Sequence, residues 1–419
     1  MDSIFSEKDN RCNPSGKFWM VPEKYKHKHI KGKKLLKAYL YTPISIYELE
    51  KHKFLLTEKH LYCLNSEDEP YLMSCISWKQ VEPFVEENAD QRRFGFRLGS
   101  GSVFQDFYTK TAKMLERCLK ALASVCIFKD IEYDFNMMEE IGNGSFGSVY
   151  KAFEVHQKKN YAVKTVCKEV LLKETSSLKN FTKEIEILRK INHPNVTKLH
   201  KVYESEDSVH LILDYAPQGD LFQRLKEAGE FSERESIEFI KTLLTTLRYL
   251  HSKGIAHRDI KPENILMCST NNYDIKVSDM GLACKKAEND KSLKCGSPGY
   301  TAPEILKGRK YNYKVDIFSV GILLYVVLSG CTPFYGDTVQ ELVEQNRACK
   351  LEFPKCIWGN VSELAKDFIR FLAEPDPQKR PTASVALKHP WLLGGHPNVL
   401  KKSYRSKSTP KISYNRPKK

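Results

Sequence analysis

Asp259, Lys261 and Asn264 fall within the eight residues HRDIKPEN at 257–264, and Asp279 follows Asn264 by fifteen positions. An acid, a base and an amide held in one short loop can serve a single reaction in different ways. Asp259 can orient or deprotonate an acceptor hydroxyl, Lys261 can neutralise a phosphoryl group in transit, and Asn264 can bind a metal. Asp279 adds a carboxylate, and such oxygen donors suit a hard cation such as Mg2+. Each residue alone could be a surface polar group. Together, in this order, they describe phosphoryl transfer.

A nucleotide-binding pattern lies upstream. IGNGSFGSVY at 141–150 contains Gly142-x-Gly144-x-x-Gly147, a spacing that dinucleotide folds also use when a helix follows. Here SVYKAFEVHQKKNYAVK follows, which reads as two strands around a polar turn at 156–160. The glycines therefore cap a hairpin, where backbone amides can approach phosphate oxygens. In the second strand Ala162, Lys164 and Val166 share a face by period two, which points Lys164 at the nucleotide beside a small apolar residue. Glu184, in the helical stretch FTKEIEILRKINHPN, can pair with Lys164 and hold it for the α- and β-phosphates.

Two sets of elements surround these residues. Before them, LLKAYLY, HKFLLTEKHLYCL, YLMSCISW and FGFRLG are short segments rich in Leu, Tyr and Phe, separated by polar stretches, as in antiparallel strands. They end in KTAKMLERCLKALASVCI, where Met114, Leu115, Cys118, Leu119, Leu122 and Val125 follow a helical period. Strands followed by one helix predict a small antiparallel β-barrel capped by its C-terminal helix. The whole is expected to be α+β: a flexible basic segment at 1–30, the small domain at 31–130, a larger domain at 135–392, and a basic disordered tail at 393–419.

Composition narrows the function classes. The 419 residues carry a formal charge of +15, and much of the excess lies outside the catalytic pattern: residues 21–40 hold seven Lys against one Glu, and 400–419 hold eight Lys or Arg and no acid. Anionic partners are expected, and membrane lipid is favoured over nucleic acid because no recognition motif accompanies the basic tail. Twelve Cys without a C-x-x-C pair argue for a reduced compartment. IFSVGILLYVVLSGCTPFYG at 317–336 is uncharged, but its apolar part stops near Leu328, so it reads as a buried helix and not a transmembrane one.

Residues 135–392 resemble a eukaryotic protein kinase domain, through the motifs quoted above together with APE at 302–304 and VDIFSVG at 315–321. The resemblance implies a two-lobed kinase fold that uses ATP and Mg2+. It implies ATP contacts from Ile141, Gly142, Asn143, Gly144, Ser145, Phe146, Gly147, Ser148, Val149, Ala162, Lys164 and Glu184, and an adenine-reading hinge at Leu213, Asp214 and Ala216. Asp259 and Lys261 become the catalytic pair, and Asn264 and Asp279 the metal ligands. Glu304 is expected to pair with Arg380, and Asp316 to brace the catalytic loop. Lys261 and Ser297, in CGSPGY, have the serine/threonine form, and GDLF, CGSPGYTAPEIL and HPWL resemble the calmodulin-dependent kinase group. Asp220 and Glu263 match acidic positions that imply Arg-directed substrates, with Ser297 also facing the substrate.

Met280 stands where the family has Phe. That Phe packs with the positions of Leu188, Leu199 and His257 and touches neither nucleotide nor metal, so an active enzyme is expected and a pseudokinase scaffold is the rival. The position that accepts activating phosphate in relatives is Leu293 here. Either Ser292, one place off, serves with Arg258, or the loop orders without phosphate. Residues 31–130 resemble a pleckstrin homology domain, with Cys118 where the family has Trp. This resemblance implies phosphoinositide binding through Lys37, Lys51 and Lys53, and a cytoplasmic protein recruited reversibly to membranes. The alternatives are a module that binds protein or one that inhibits the kinase.

Overall fold

The computed structural model describes residues 3–5, 17–20, 30, 32–45, 48–88, 91–144, 147–270, 274–285 and 296–394. Ser145, Phe146, Ser292, Leu293 and the expected tail from residue 395 lie outside them. The chain divides into two compact units, 1–216 and 217–419.

The first unit begins with strands β1 (Lys34–Pro43), β2 (Leu49–Thr57), β3 (His60–Leu64), β4 (Pro70–Cys75), β5 (Gln80–Asn88), β6 (Gln91–Ser100) and β7 (Val103–Thr109). Helix α1 (Ala112–Leu122) follows; Thr111 caps it by accepting the Met114 N–H, and it buries Leu115, Cys118 and Leu122. After it come β8 (Ile127–Phe128), β9 (Phe135–Gly144), β10 (Gly147–Glu154), β11 (Lys159–Cys167), α2 (Lys168–Lys173), α3 (Thr175–Leu188), β12 (Leu199–Glu204) and β13 (Ser208–Asp214).

These strands form one ladder in the order β4-β3-β2-β1-β7-β6-β5-β8-β12-β13-β11-β10-β9. The two-residue β8 pairs in parallel with β5 on one side, Val81 opposite Phe128, and with β12 on the other, Phe128 opposite Tyr203. The expected small sheet is therefore not a separate sheet. Apolar packing crosses the same join, running from Phe96 and Leu98 through Phe128 and Ile131 to Tyr161 and Val163, all buried. Nothing in the sequence of a two-residue strand announces this continuity.

The segment expected to be flexible is also partly built in. Ser3 and Phe5 are buried, Phe18 packs its ring 5.9 Å from that of Phe107, and Met20 exchanges backbone hydrogen bonds with Met73. Polar composition masked three large side chains, Phe5, Phe18 and Trp19, that find apolar cover.

The second unit is mainly helical. It contains α4 (Leu221–Ala228), α5 (Glu233–Ser252), β14 (Ile255–Ala256), β15 (Ile265–Met267), β16 (Ile275–Val277), β17 (Cys284–Lys285), α6 (Pro303–Leu306), α7 (Lys314–Ser329), α8 (Val339–Ala348), α9 (Lys355–Trp358), α10 (Glu363–Leu372) and α11 (Ala383–Ala386). A capping box between Ser232 and Glu235 starts α5. Helix α7 carries the first part of the uncharged stretch after Lys314 and Asp316, is buried on every side from Val315 to Leu328 and is stopped by Gly330 at φ 66°. At Gly321 a Cβ would meet the Ala373 backbone nitrogen at 2.7 Å, so glycine allows α10 to end against α7. Among the described residues, no helix is long and apolar enough to cross a membrane.

Candidate active site

In the first unit, β11 carries Lys164 between Val149 of β10 and Leu211 of β13. Its Nζ lies 2.8 Å from Glu184 Oε1 on α3, with the two side chains 13% and 5% exposed. Little solvent screens the pair, so the lysine is held in one place. Ala162 is buried opposite Leu213, and Gly142 pairs with Val149 at the mouth of the hairpin. A Cβ at Gly147 would come within 2.0 Å of the Thr165 carbonyl oxygen, which makes glycine obligatory there. Ile141 and Asn143 are exposed, Ser148 is half-buried, and Leu213 and Ala216 are half-buried at the end of β13. The Asp214 side chain lies 2.7 Å from His200 Nε2 and accepts the Lys198 N–H.

In the second unit, Asp316 at the start of α7 is fully buried and organises the loop at 257–264. It accepts the backbone N–H groups of His257 at 3.0 Å and Arg258 at 2.8 Å, and its Oδ2 lies 2.8 Å from His251 Nε2. Burial by itself would raise this carboxyl, but the hydrogen bond and charge of His251, with further help from His257 and Arg258, hold it below its ordinary value. Arg258 takes a left-handed φ of 71°, a conformation that non-glycine residues accept only when surroundings impose it.

Asp259, 8% exposed, is surrounded by donors. Its Oδ1 accepts the Ser297 N–H at 3.0 Å and the Ser297 hydroxyl at 2.8 Å. Its Oδ2 accepts Asn264 Nδ2 at 2.9 Å and lies 3.3 Å from Lys261 Nζ, which also donates to Ser297 Oγ at 2.8 Å. Because the Asn264 nitrogen is spent on Asp259, the amide oxygen is the atom that would be offered to a metal. Asn264 and Asp279 flank the paired strands β15 and β16, and Ser278, next to Asp279, donates to the Asn264 carbonyl through both N–H and hydroxyl. Asp279 is left-handed at φ 59° and accepts the Gly281 N–H.

An amide oxygen and a carboxylate are hard donors that fit Mg2+. Among the described residues, no three His, Cys, Asp or Glu side chains converge as a metal group. Asn264 and Asp279 would hold a Mg2+ ion here, and the remaining ligands would have to come from outside the protein, as is common for this ion.

A family model described as protein kinase domain matches residues 135–392, more than half of the chain. The chain belongs to the protein kinase family. Myosin light chain kinase A of Dictyostelium discoideum is 37% identical over 271 residues, covering 64% of this chain and 91% of that protein. Calcium/calmodulin-dependent protein kinase type 1B of Homo sapiens is 39% identical over 267 residues, covering 64% of this chain and 77% of that protein. The protein is a serine/threonine kinase of this type and uses ATP with Mg2+.

Other parts of the kinase pattern are also in place. Glu304 and Arg380 form a buried two-pronged ion pair at 2.7 and 2.9 Å. Met280 is 1% exposed, so it is packed as an apolar side chain. Arg258 Nε donates to the Leu282 carbonyl at 2.6 Å and Nη1 to the Tyr311 hydroxyl at 2.5 Å, while Ser292, the basis of one of the two ways in which the loop was expected to order, lies outside the described residues. Asp220 spends a carboxylate oxygen on capping α4 through the Gln223 N–H, while Glu263 is exposed. The part that Tyr311 plays was not foreseen, and no motif spacing could have signalled it.

The N-terminal lysines are more constrained than expected. Lys37 on β1 lies 2.8 Å from Asp68, and Lys53 on β2 bonds the same carboxylate; Lys51 sits 4.5 Å above the Tyr39 ring. Hydrogen bonds from Lys37 and Lys53 hold the Asp68 carboxyl below its ordinary value.

Proposed function

We propose that this kinase transfers the γ-phosphate of ATP to Ser and Thr hydroxyls of proteins bearing Arg near the target, with Asp259 receiving or orienting the acceptor proton. The convergence of Ser297, Lys261 and Asn264 on Asp259 carries this reading, because it fixes the carboxylate and supplies positive charge beside it. Lys164 steadies the nucleotide phosphates and Glu184 steadies Lys164. Mg2+ supplies charge neutralisation on the phosphates, and Asn264 with Asp279 holds it. The exposed Glu263 is the better candidate for a substrate arginine; Asp220 keeps a second oxygen for the same role. Phosphorylation of an Arg-containing Ser peptide by the wild type, with Asp279→Ala as the blank, tests the reading. Equal signals from the two proteins would refute it.

For the N-terminal strands and α1, the reading is a pleckstrin homology-like barrel that brings a cytoplasmic kinase reversibly to anionic phosphoinositide membranes. Lys37, Lys51 and Lys53 on the first hairpin support it, since Tyr39 pairs with Lys53 and Tyr41 with Lys51, which places the three lysines on one face. Asp68 competes with any phosphate there. Co-sedimentation with phosphoinositide vesicles, with and without Lys51→Ala and Lys53→Ala together, is the test. Unchanged binding by the double variant would remove these lysines from the reading.

A further inference from the structure

Helix α3 bears Glu184, yet little in the helix itself fixes its position. Glu174 at its N-cap position makes no side-chain cap, and no acidic residue occupies its first turn. Its placement falls to whatever packs on it. Phe181 and Ile185, three before and one after Glu184, share a buried cluster with Val166 of β11, two residues beyond Lys164. The other contributors to this cluster include Phe5, Trp78 and Ile127, from outside the kinase pattern. Phe5 stacks on Trp78 at 5.0 Å between ring centroids.

Two polar attachments fasten the same place. At the C-terminal end of α3, the Arg189 guanidinium lies 4.7 Å over the Trp78 ring and donates to the Cys126 carbonyl at 2.8 Å. Burial pushes Arg189 down to about 10 against the nearby charge of Glu186, and its Nε has no hydrogen-bond partner among the described residues, so the ring face and the Cys126 carbonyl help to compensate a buried cation. Trp78 holds a left-handed φ of 72°, unfavourable for a bulky residue. At the end of β12, Glu204 is buried and takes the Ser3 hydroxyl at 2.6 Å, the Ile4 N–H at 2.8 Å and Gln80 Nε2 at 3.2 Å. Lys168 Nζ, at the start of α2, lies 3.1 Å from the same carboxylate.

We propose that Phe5, Trp78 and Arg189 are positioning residues for the kinase reaction: they clasp α3 so that Glu184 stays against Lys164, which makes the N-terminal module a built-in activator. The module shares one buried cluster with both elements that carry the ion pair, and it touches the end of α3 directly through Arg189. This rests on the Lys164–Glu184 assignment above. It is the reverse of an inhibitory module, because loosening the clasp frees Glu184 to leave Lys164.

The test uses the full-length chain. Steady-state kinetics of Phe5→Ala and Trp78→Ala, well below the melting temperature of each variant, should give kcat lowered about tenfold with the peptide KM unchanged. Phe5→Leu and Trp78→Phe should restore kcat, since each keeps apolar contact. Leu98→Val, in the N-terminal core away from the clasp, should lower the melting temperature and leave kcat alone. In a Glu184→Gln background, Phe5→Ala should cause no additional loss. Wild-type or raised kcat in Phe5→Ala and Trp78→Ala, or an equal further loss in the Glu184→Gln background, overturns the clasp. If Glu184→Gln is itself fully active, the ion-pair assignment fails and the clasp falls with it. An impaired Glu184→Gln beside a fully active Phe5→Ala discards the clasp alone.

Discussion

The Ser297 hydroxyl donates to Asp259 Oδ1 at 2.8 Å while accepting from Lys261 at the same distance, so one side chain ties acid and base together across 36 residues of chain. Removing it leaves Asp259 and Lys261 in place but free to reorient. Ser297→Ala should lower kcat by roughly tenfold to a hundredfold with the KM for ATP unchanged, and Ser297→Thr should keep activity. A Ser297→Ala enzyme with normal kcat would mean that the hydroxyl is incidental.

Met280 is buried, and Phe is similar in bulk, so Met280→Phe exchanges one apolar filler for another at below about 1.5 kcal/mol. The variant should retain the wild-type kcat. Met280→Asp should abolish activity, because it buries an unpaired charge. The pair of assays separates a packing role from a chemical one.

Asp316 sets an acid limit. Its folded carboxyl sits below the ordinary value of 3.8, so its contribution to stability is fully present above that pH and is lost as pH falls through the lowered folded value. Melting temperature against pH should fall on the acid side in the wild type. The fall should be shallower in Asp316→Asn, which starts less stable because His251 and the loop amides lose their charge partner.

Asp68 bonds Lys37 and Lys53, so it screens the lysines from a lipid phosphate. Asp68→Asn should tighten binding to phosphoinositide vesicles by about fivefold, the worth of about one charge near an anionic surface. Weaker binding would show that the carboxylate orders the lysines for the lipid.

Cys118 lines an apolar cavity in the core of the N-terminal strands with Ala38, Phe54, Leu61 and Phe96, and burial pushes its thiol up to about 12. Cys118→Met adds volume beside a neutral, unreactive group. It should stabilise the chain by about 0.5–1 kcal/mol, read as a rise in melting temperature.

The parts of the site legible in the sequence are those where chemistry fixes residue type and spacing together. Lys164 with Glu184 and Glu304 with Arg380 lie 20 and 76 positions apart, yet motif order pointed to both contacts. Helix α7 was legible because a run apolar on every side and closed by Ser-Gly has few other homes. What escaped was set by tertiary packing. The sequence around Phe5 is polar, Trp78 reads as an ordinary strand-end aromatic, and β8 is too short to carry a period. Arg258 is conspicuous in its motif, but Tyr311, its partner 53 residues later, belongs to no motif.

Ile127 and Phe128 govern how the protein can be divided. A cut at residue 135 falls where the kinase pattern begins, but it removes the strand that covers β12 and takes Phe5 and Trp78 out of the buried cluster that holds Val202, Phe181 and Ile185. The excised catalytic piece would carry an open strand edge beside a greasy rim, the combination that makes fragments stick to one another. The N-terminal module and the strands that open the kinase pattern are thus not beads on a string: they share one interior, and the seam drawn by family resemblance runs through it.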